Sequence, residues 1–247
     1  MLGLPDGITA CLFDMDGDVT KTALVHAAAW KEMFDEFLRG WSAKNGTEFV
    51  PFDSEHDYNE YVDGKPRLDG IKSFLESRSI SLPLGSPSDP PGSPTVYGLG
   101  NRKNDLFLKV LARDGVQVYD GSIRYINAVR AAGIRTAIVS SSANTVQVLT
   151  AAAITDLFDA RVDAHVAQER GLSGKPAPDT FLEAARMLGA SASAAVVFED
   201  ALAGVAAGRA GRFGLVVGVD RIGQAEALRE HGADVVVTDL EELLDRA

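Results

Sequence analysis

Two aspartates, Asp14 and Asp16, stand two residues apart where the apolar run ITACLF (8–13) gives way to DMDG. The run RTAIVS leads into Ser140, Ser141 and Ser142, and the run AAVVF leads into Glu199 and Asp200. Lys175 stands in SGKPAPDTF, ahead of a helical pattern. Carboxylates gathered in one place repel one another unless a hard cation sits among their oxygens. Mg2+ suits such a set, with waters and a substrate phosphate completing its shell. Hydroxyls, backbone N–H groups and a lysine neutralise a bound phosphate. A carboxylate beside the cation can attack phosphorus and form an aspartyl-phosphate. A second carboxylate two residues on can give a proton to the leaving oxygen and take one from the acceptor. Taken singly, each feature has an ordinary explanation: a turn-forming Asp, a serine helix start, acids at a helix N-terminus, a surface lysine. Their joint order, each at or just beyond the end of an element, points to a site.

The elements that must position these groups follow from periodicity. The runs at 8–13, 135–140, 194–198, 214–219 and 234–238 are continuously apolar, as strands covered on both faces are. Ala-rich helical patterns over 122–132, 143–153, 178–188, 201–210 and 223–231 alternate with them. Strand–helix alternation predicts an α/β fold, a Rossmann-like doubly wound parallel sheet, whose ligands bind beyond the carboxyl ends of the strands. The segment between the first strand and residue 115 differs. Over 22–40, Ala23, His26, Trp30, Met33 and Phe37 share one helical face. Residues 66–80 and 101–115 read as further helices, separated by a Pro/Gly/Ser-rich loop at 82–98. The organisation expected is a core of 1–21 and 115–247, with a helical domain of 22–114 inserted after the first strand and a site between the two bodies.

The 247-residue chain carries a net charge of −11, which argues against nucleic-acid and anionic-membrane surfaces as partners. The single cysteine, Cys11, excludes an internal disulfide and a cysteine metal cluster, and reads as a small core residue. No basic segment with a following apolar stretch suggests a signal peptide, and no run reaches the roughly 18 apolar residues of a membrane span. A cytoplasmic monomer acting on a small molecule is the expectation.

The stretches LFDMDG, AIVSSSAN, GKPAPDTF and VVFEDALAGVAAGRAG, in that order, resemble the motifs of the haloacid dehalogenase-like superfamily. TALVHAAAWKEMF, YVDGKPRLDGIKSFL and RKNDLFLKVL resemble the helical cap of its β-phosphoglucomutase-like family. The resemblance implies a core with an inserted helical cap domain, and Mg2+ as cofactor. Asp14 would be the nucleophile and Asp16 the general acid/base. Asp14, the Asp16 carbonyl, Glu199 and Asp200 would hold the metal. Ser140, Ser141 and Lys175 would hold the transferring phosphate, and Arg67, Ser142 and Asn144 a second phosphate. His26 and Lys103 would act from the cap. The implied reaction takes β-glucose 1-phosphate to glucose 6-phosphate through glucose 1,6-bisphosphate.

The chain departs from that pattern at Asp18, where the family has an apolar residue, at Lys21, where it commonly has an acid, and at Ala143, where the mutase relative has a lysine. An ionised Asp18 pointing inward is costly unless paired or protonated. Turned to solvent it costs little, and Lys21 is an available partner. Asp18 therefore reads as a tolerated residue outside the chemistry. Two other functions stay open: a phosphatase of the same fold on a small phosphate ester, and an inactive protein that binds a phosphorylated ligand.

Overall fold

The structure, a computed structural model, describes residues 2–245. Six strands form one parallel sheet: β1 (Ala10–Phe13), β2 (Arg135–Val139), β3 (Ala160–Val162), β4 (Ala195–Glu199), β5 (Leu215–Val219) and β6 (Val235–Val237). Their order is β3-β2-β1-β4-β5-β6. β1 lies at the centre, with Phe13 registered against Ile138 on one side and Phe198 on the other. All four β1 residues are buried, which is why their run carries no polar alternation. The switch in strand order at β1 opens a crevice beyond the carboxyl ends of β1, β2 and β4.

The helices are α1 (Ala23–Asn45), α2 (Arg67–Ser77), α3 (Val96–Asp114), α4 (Asp120–Ala131), α5 (Thr145–Ala151), α6 (Ala164–Arg170), α7 (Asp179–Met187), α8 (Leu202–Ala210) and α9 (Ala225–Glu230). Among the described residues, none is long and apolar enough to cross a membrane. The chain divides into two compact units, with boundaries at Lys21/Thr22 and Gly115/Val116.

In the sheet unit, Phe13 stacks on Phe198 with ring centroids 4.5 Å apart, and Tyr125 meets both edge-on. Phe13 and Phe198, which immediately precede Asp14 and Glu199, form an aromatic floor at this end of β1 and β4. Burying each phenylalanine contributes roughly 2–3 kcal/mol and stiffens that floor. In the inserted unit, Phe34 packs against Trp30, Phe52 and Phe74 at 5.4, 5.1 and 4.2 Å. Asp35 is buried there, accepting from the Phe52 N–H at 2.8 Å and pairing with Lys31 at 3.1 Å.

Among the differences from the sequence reading are three boundaries and one pair of elements. α1 runs through Gly40 and closes only at Gly46, because Trp41 to Asn45 continue the helix. The 82–98 loop ends at Thr95, whose side chain accepts from the Gly98 N–H at 2.9 Å and starts α3. That loop is tied down: Asp89 accepts from Thr95 Oγ1 at 2.6 Å, and Asn101 donates to the Asp89 carbonyl at 2.9 Å. Ser140 lies just outside β2. β3 and α6 have no counterpart in the sequence reading. β3 is a three-residue edge strand with Arg161 at its middle, too short and too polar to show as an apolar run.

Candidate active site

The Asp14 N–H still donates to the Phe198 carbonyl at 3.0 Å, so the β1 ladder carries this residue to the sheet's edge. Beyond it the chain closes on itself. Val19 and Thr20 donate to the Met15 carbonyl at 3.1 and 2.9 Å, and Gly17 donates to the Thr20 carbonyl at 2.8 Å. The Asp16 N–H donates to Asp14 Oδ2 at 2.8 Å. The turn thus presents both carboxylates on the same edge, with Asp14 buried and Asp16 half-buried.

β4 delivers Glu199 and Asp200 to the same edge. Glu199 is fully buried and accepts from the Ala201 N–H at 2.9 Å. Two glycines make room for these acids. A Cβ at Gly204 would overlap the Glu199 carboxylate, and a Cβ at Gly17 would overlap that of Asp200. Gly17 also has φ +96°, which side-chain-bearing residues rarely adopt. Asp14, Glu199 and Asp200 each place a carboxylate oxygen within 4.8 Å of the others.

Lys175 enters this cluster from the loop before α7. Its buried Nζ pairs with both Asp14 and Glu199 and lies 3.3 Å from the Val139 carbonyl. Ser140 Oγ, beyond β2, approaches Asp16 Oδ2 at 3.4 Å and accepts from the Ser142 N–H at 3.1 Å. Ser142 Oγ accepts from the Asn144 N–H at 3.1 Å. Ser141 is half-buried in the same loop, and Asn144 is buried at the start of α5. His165 Nε2 stands 3.1 Å from the carbonyl of Ala143.

Charge is unbalanced here. Burial pushes the Asp14 carboxyl up; Lys175 opposes this and Asp16 adds to it. Burial pushes Glu199 up to about 8, against the pull of Lys175 and with the push of Asp14. Burial works against the Lys175 charge, but Asp14 and Glu199 outweigh it and raise its pKa. One ammonium faces three buried carboxylates. Such a set must take up protons or a cation. The donors are all hard oxygens within the span of one ion, so they fit Mg2+.

Asp18 does not follow the solvent-facing or paired alternatives. It is fully buried, and neither carboxylate oxygen has a hydrogen-bond partner. Burial first, then the negative charges of Asp14 and Glu199, push its carboxyl well above the usual range; Arg221 and Lys175 pull it down. Lys21 is exposed, with its ammonium 5.4 Å from the Tyr119 ring centre.

His26, Arg67 and Lys103 belong to the inserted unit. There Lys103 is buried, with its Nζ 2.5 Å from His26 Nδ1 and 4.9 and 5.3 Å from the Trp30 and Phe107 ring centres. Arg67 Nη1 donates to Asn104 Oδ1 at 2.5 Å, and burial lowers the Arg67 pKa. Asn104 went unmarked by the sequence; its position next to Lys103 was the available signal.

The fold and the acid cluster define a doubly wound α/β protein with buried carboxylates, suited to a hard cation, at its strand ends. A model of the haloacid dehalogenase-like hydrolase family matches residues 8–212, and the chain belongs to that family. It is 58% identical to the beta-phosphoglucomutase of Mycobacterium bovis, over 99% of this chain and 94% of that protein. Among solved structures, a beta-phosphoglucomutase from Clostridium difficile superposes with a TM-score of 0.73 at 25% identity, covering 96% of this chain and 93% of that one. A hydrolase from Pseudomonas syringae superposes with a TM-score of 0.77 at 22% identity, covering 96% and 97%, and speaks to the fold alone.

Proposed function

We propose that this chain is a β-phosphoglucomutase, converting β-glucose 1-phosphate to glucose 6-phosphate through glucose 1,6-bisphosphate. One geometric observation carries the chemistry: Asp14 and Asp16 leave β1 together, with the Asp14 carboxylate held by Lys175 and by the Asp16 N–H. The choice of sugar phosphate rests on the near-full-length likeness to the Mycobacterium bovis protein.

In this reading Asp14 attacks the phosphorus of the bisphosphate. A bond forms from its carboxylate oxygen to phosphorus, and the bond from phosphorus to the sugar oxygen breaks. Asp16 gives its proton to that leaving oxygen. In the return step the accepting hydroxyl oxygen of a second sugar phosphate bonds to phosphorus while Asp16 takes its proton, and the bond from the Asp14 oxygen to phosphorus breaks. Asp16 suits this shuttle because it is less buried than Asp14 and touches Ser140. Lys175, Ser140 and Ser141 hold the transferring phosphate. Arg67, Ser142 and Asn144 bind the second phosphate, and His26 and Lys103 bind and orient the sugar. Asp14, Glu199, Asp200 and the Asp16 carbonyl would hold Mg2+, which would supply neutralisation of phosphoryl charge. A monomeric, cytoplasmic enzyme of core and cap belongs to the same reading.

The test is to incubate the protein with Mg2+, β-glucose 1-phosphate and a trace of glucose 1,6-bisphosphate, and to follow glucose 6-phosphate. Sustained product at little phosphate release is the expected result. Brisk phosphate release without glucose 6-phosphate would put the phosphatase in its place, and no turnover of any sugar phosphate would leave the inactive binding protein.

A further inference from the structure

Arg221 follows β5 by two residues, at the carboxyl edge of the sheet. All five N–H groups of its guanidinium have acceptors. Nε donates to the Gly17 carbonyl at 2.9 Å. Nη1 donates to the Thr238 carbonyl at 2.7 Å and to Asp239 Oδ2 at 3.0 Å. Nη2 donates to the Asp18 carbonyl and to Ser122 Oγ, each at 3.2 Å. Its plane lies over the Tyr119 ring, 3.7 Å from the centre. With every donor committed, this arginine has none left for a phosphate.

Three residues on, Gln224 Nε2 donates to the Asp200 carbonyl at 2.9 Å. Asp220 shapes the loop between them. Its Oδ1 accepts from the Gly223 and Gln224 N–H groups at 2.7 Å each, and its own N–H donates to the Val237 carbonyl at 2.7 Å. One hydrogen-bonded loop, fixed to the sheet, therefore touches the backbone of both acid-bearing turns. Between those turns, Gly17 packs against the Asp200 carboxylate with no room for a Cβ.

We infer that the 220–224 loop is a positioning brace, in which Arg221 and Gln224 grip the 14–18 and 199–201 turns at their carbonyls and hold the carboxylates at the separation a divalent cation requires. The inference rests on the phosphoryl-transfer reading above. Loosening either grip lets the turns separate, and the cation and the attacking carboxylate lose their alignment. Lysine cannot replace arginine here, because a single ammonium cannot span Gly17, Asp18 and Thr238 together.

The experiment measures kcat and KM for phosphoryl transfer, the Kd for Mg2+ by calorimetry, and the folded fraction by circular dichroism. It compares wild type with Arg221→Met, Arg221→Lys and Gln224→Leu. The expected result for Arg221→Met is a kcat and an Mg2+ affinity each lower by about 10–100-fold, with KM for the sugar phosphate little changed. Arg221→Lys recovers little of either. Should Arg221→Met fail to fold, Gln224→Leu carries the same test, since it leaves every Arg221 bond in place. Folded variants with wild-type kcat and Mg2+ affinity, or with a change confined to KM, overturn the brace. If wild type turns over no sugar phosphate but binds Mg2+, the function fails separately, and the Mg2+ titration decides the brace alone. A wild type that binds no Mg2+ overturns both.

Discussion

Lys175 reaches from the loop before α7 to the carboxylate of Asp14, and the two form an ion pair whose side chains are 1% and 9% exposed. The same ammonium pairs with the fully buried Glu199. Removing one partner of a buried pair leaves the other charge uncompensated, which typically costs about 3–5 kcal/mol. Lys175→Met is expected to lose that much stability by urea unfolding in a chelating buffer. Mg2+ should restore part of it, because a cation can replace the missing charge among the acids. An equal Mg2+ shift in wild type and variant would count against a shared site.

Gly17→Ala tests the close approach to Asp200. The residue has φ +96°, and its new methyl overlaps the Asp200 carboxylate. A strained backbone of this kind costs about 1–3 kcal/mol. The expected outcome is a lower melting temperature together with weakened Mg2+ binding in calorimetry. Weakened stability with unchanged Mg2+ affinity would show that Asp200 can move aside without consequence.

Asp18→Val tests the buried carboxyl that has no partner. Burial raises its folded-state pKa above the ordinary 3.8. Folding therefore favours the protonated form, and stability falls as pH rises above the unfolded-state value, until the folded carboxyl itself ionises. The valine variant lacks that loss. Its melting temperature should exceed that of wild type at neutral pH, and the gap should narrow as pH falls toward 4. A gap that is flat across this range would show that Asp18 ionises in the folded protein much as it does in the unfolded chain.

Arg67→Ala separates mutase from phosphatase. A hydrogen bond to a charged group contributes about 1.5–3 kcal/mol, equivalent to roughly 10–100-fold in rate. Glucose 6-phosphate formation should fall by that factor, while hydrolysis of a simple aryl phosphate, which has no second phosphate, changes little. Equal losses in both assays would remove Arg67 from a second-phosphate role.

Much of this protein was legible in its sequence because strands covered on both faces leave continuous apolar runs. Those runs placed Asp14, Ser140 and Glu199 at strand ends, and the doubly wound sheet then required them to share one edge. What the runs could not convey was anything governed by a short or polar segment, such as β3 with Arg161 at its centre. Nor could they convey side-chain direction within the turn after β1. Asp18 reads as a polar loop residue by type, yet the Met15–Thr20 hydrogen bonds fold it inward. The sequence by itself determined five of the six strands and that Asp14, Glu199 and Asp200 meet beyond them. Only the tertiary structure decided that Arg221 and Gln224, 204 and 24 residues away from the Gly17 and Asp200 carbonyls, close on those turns. Backbone carbonyls carry no side-chain signature, so contacts made to them leave no pattern for a sequence to display.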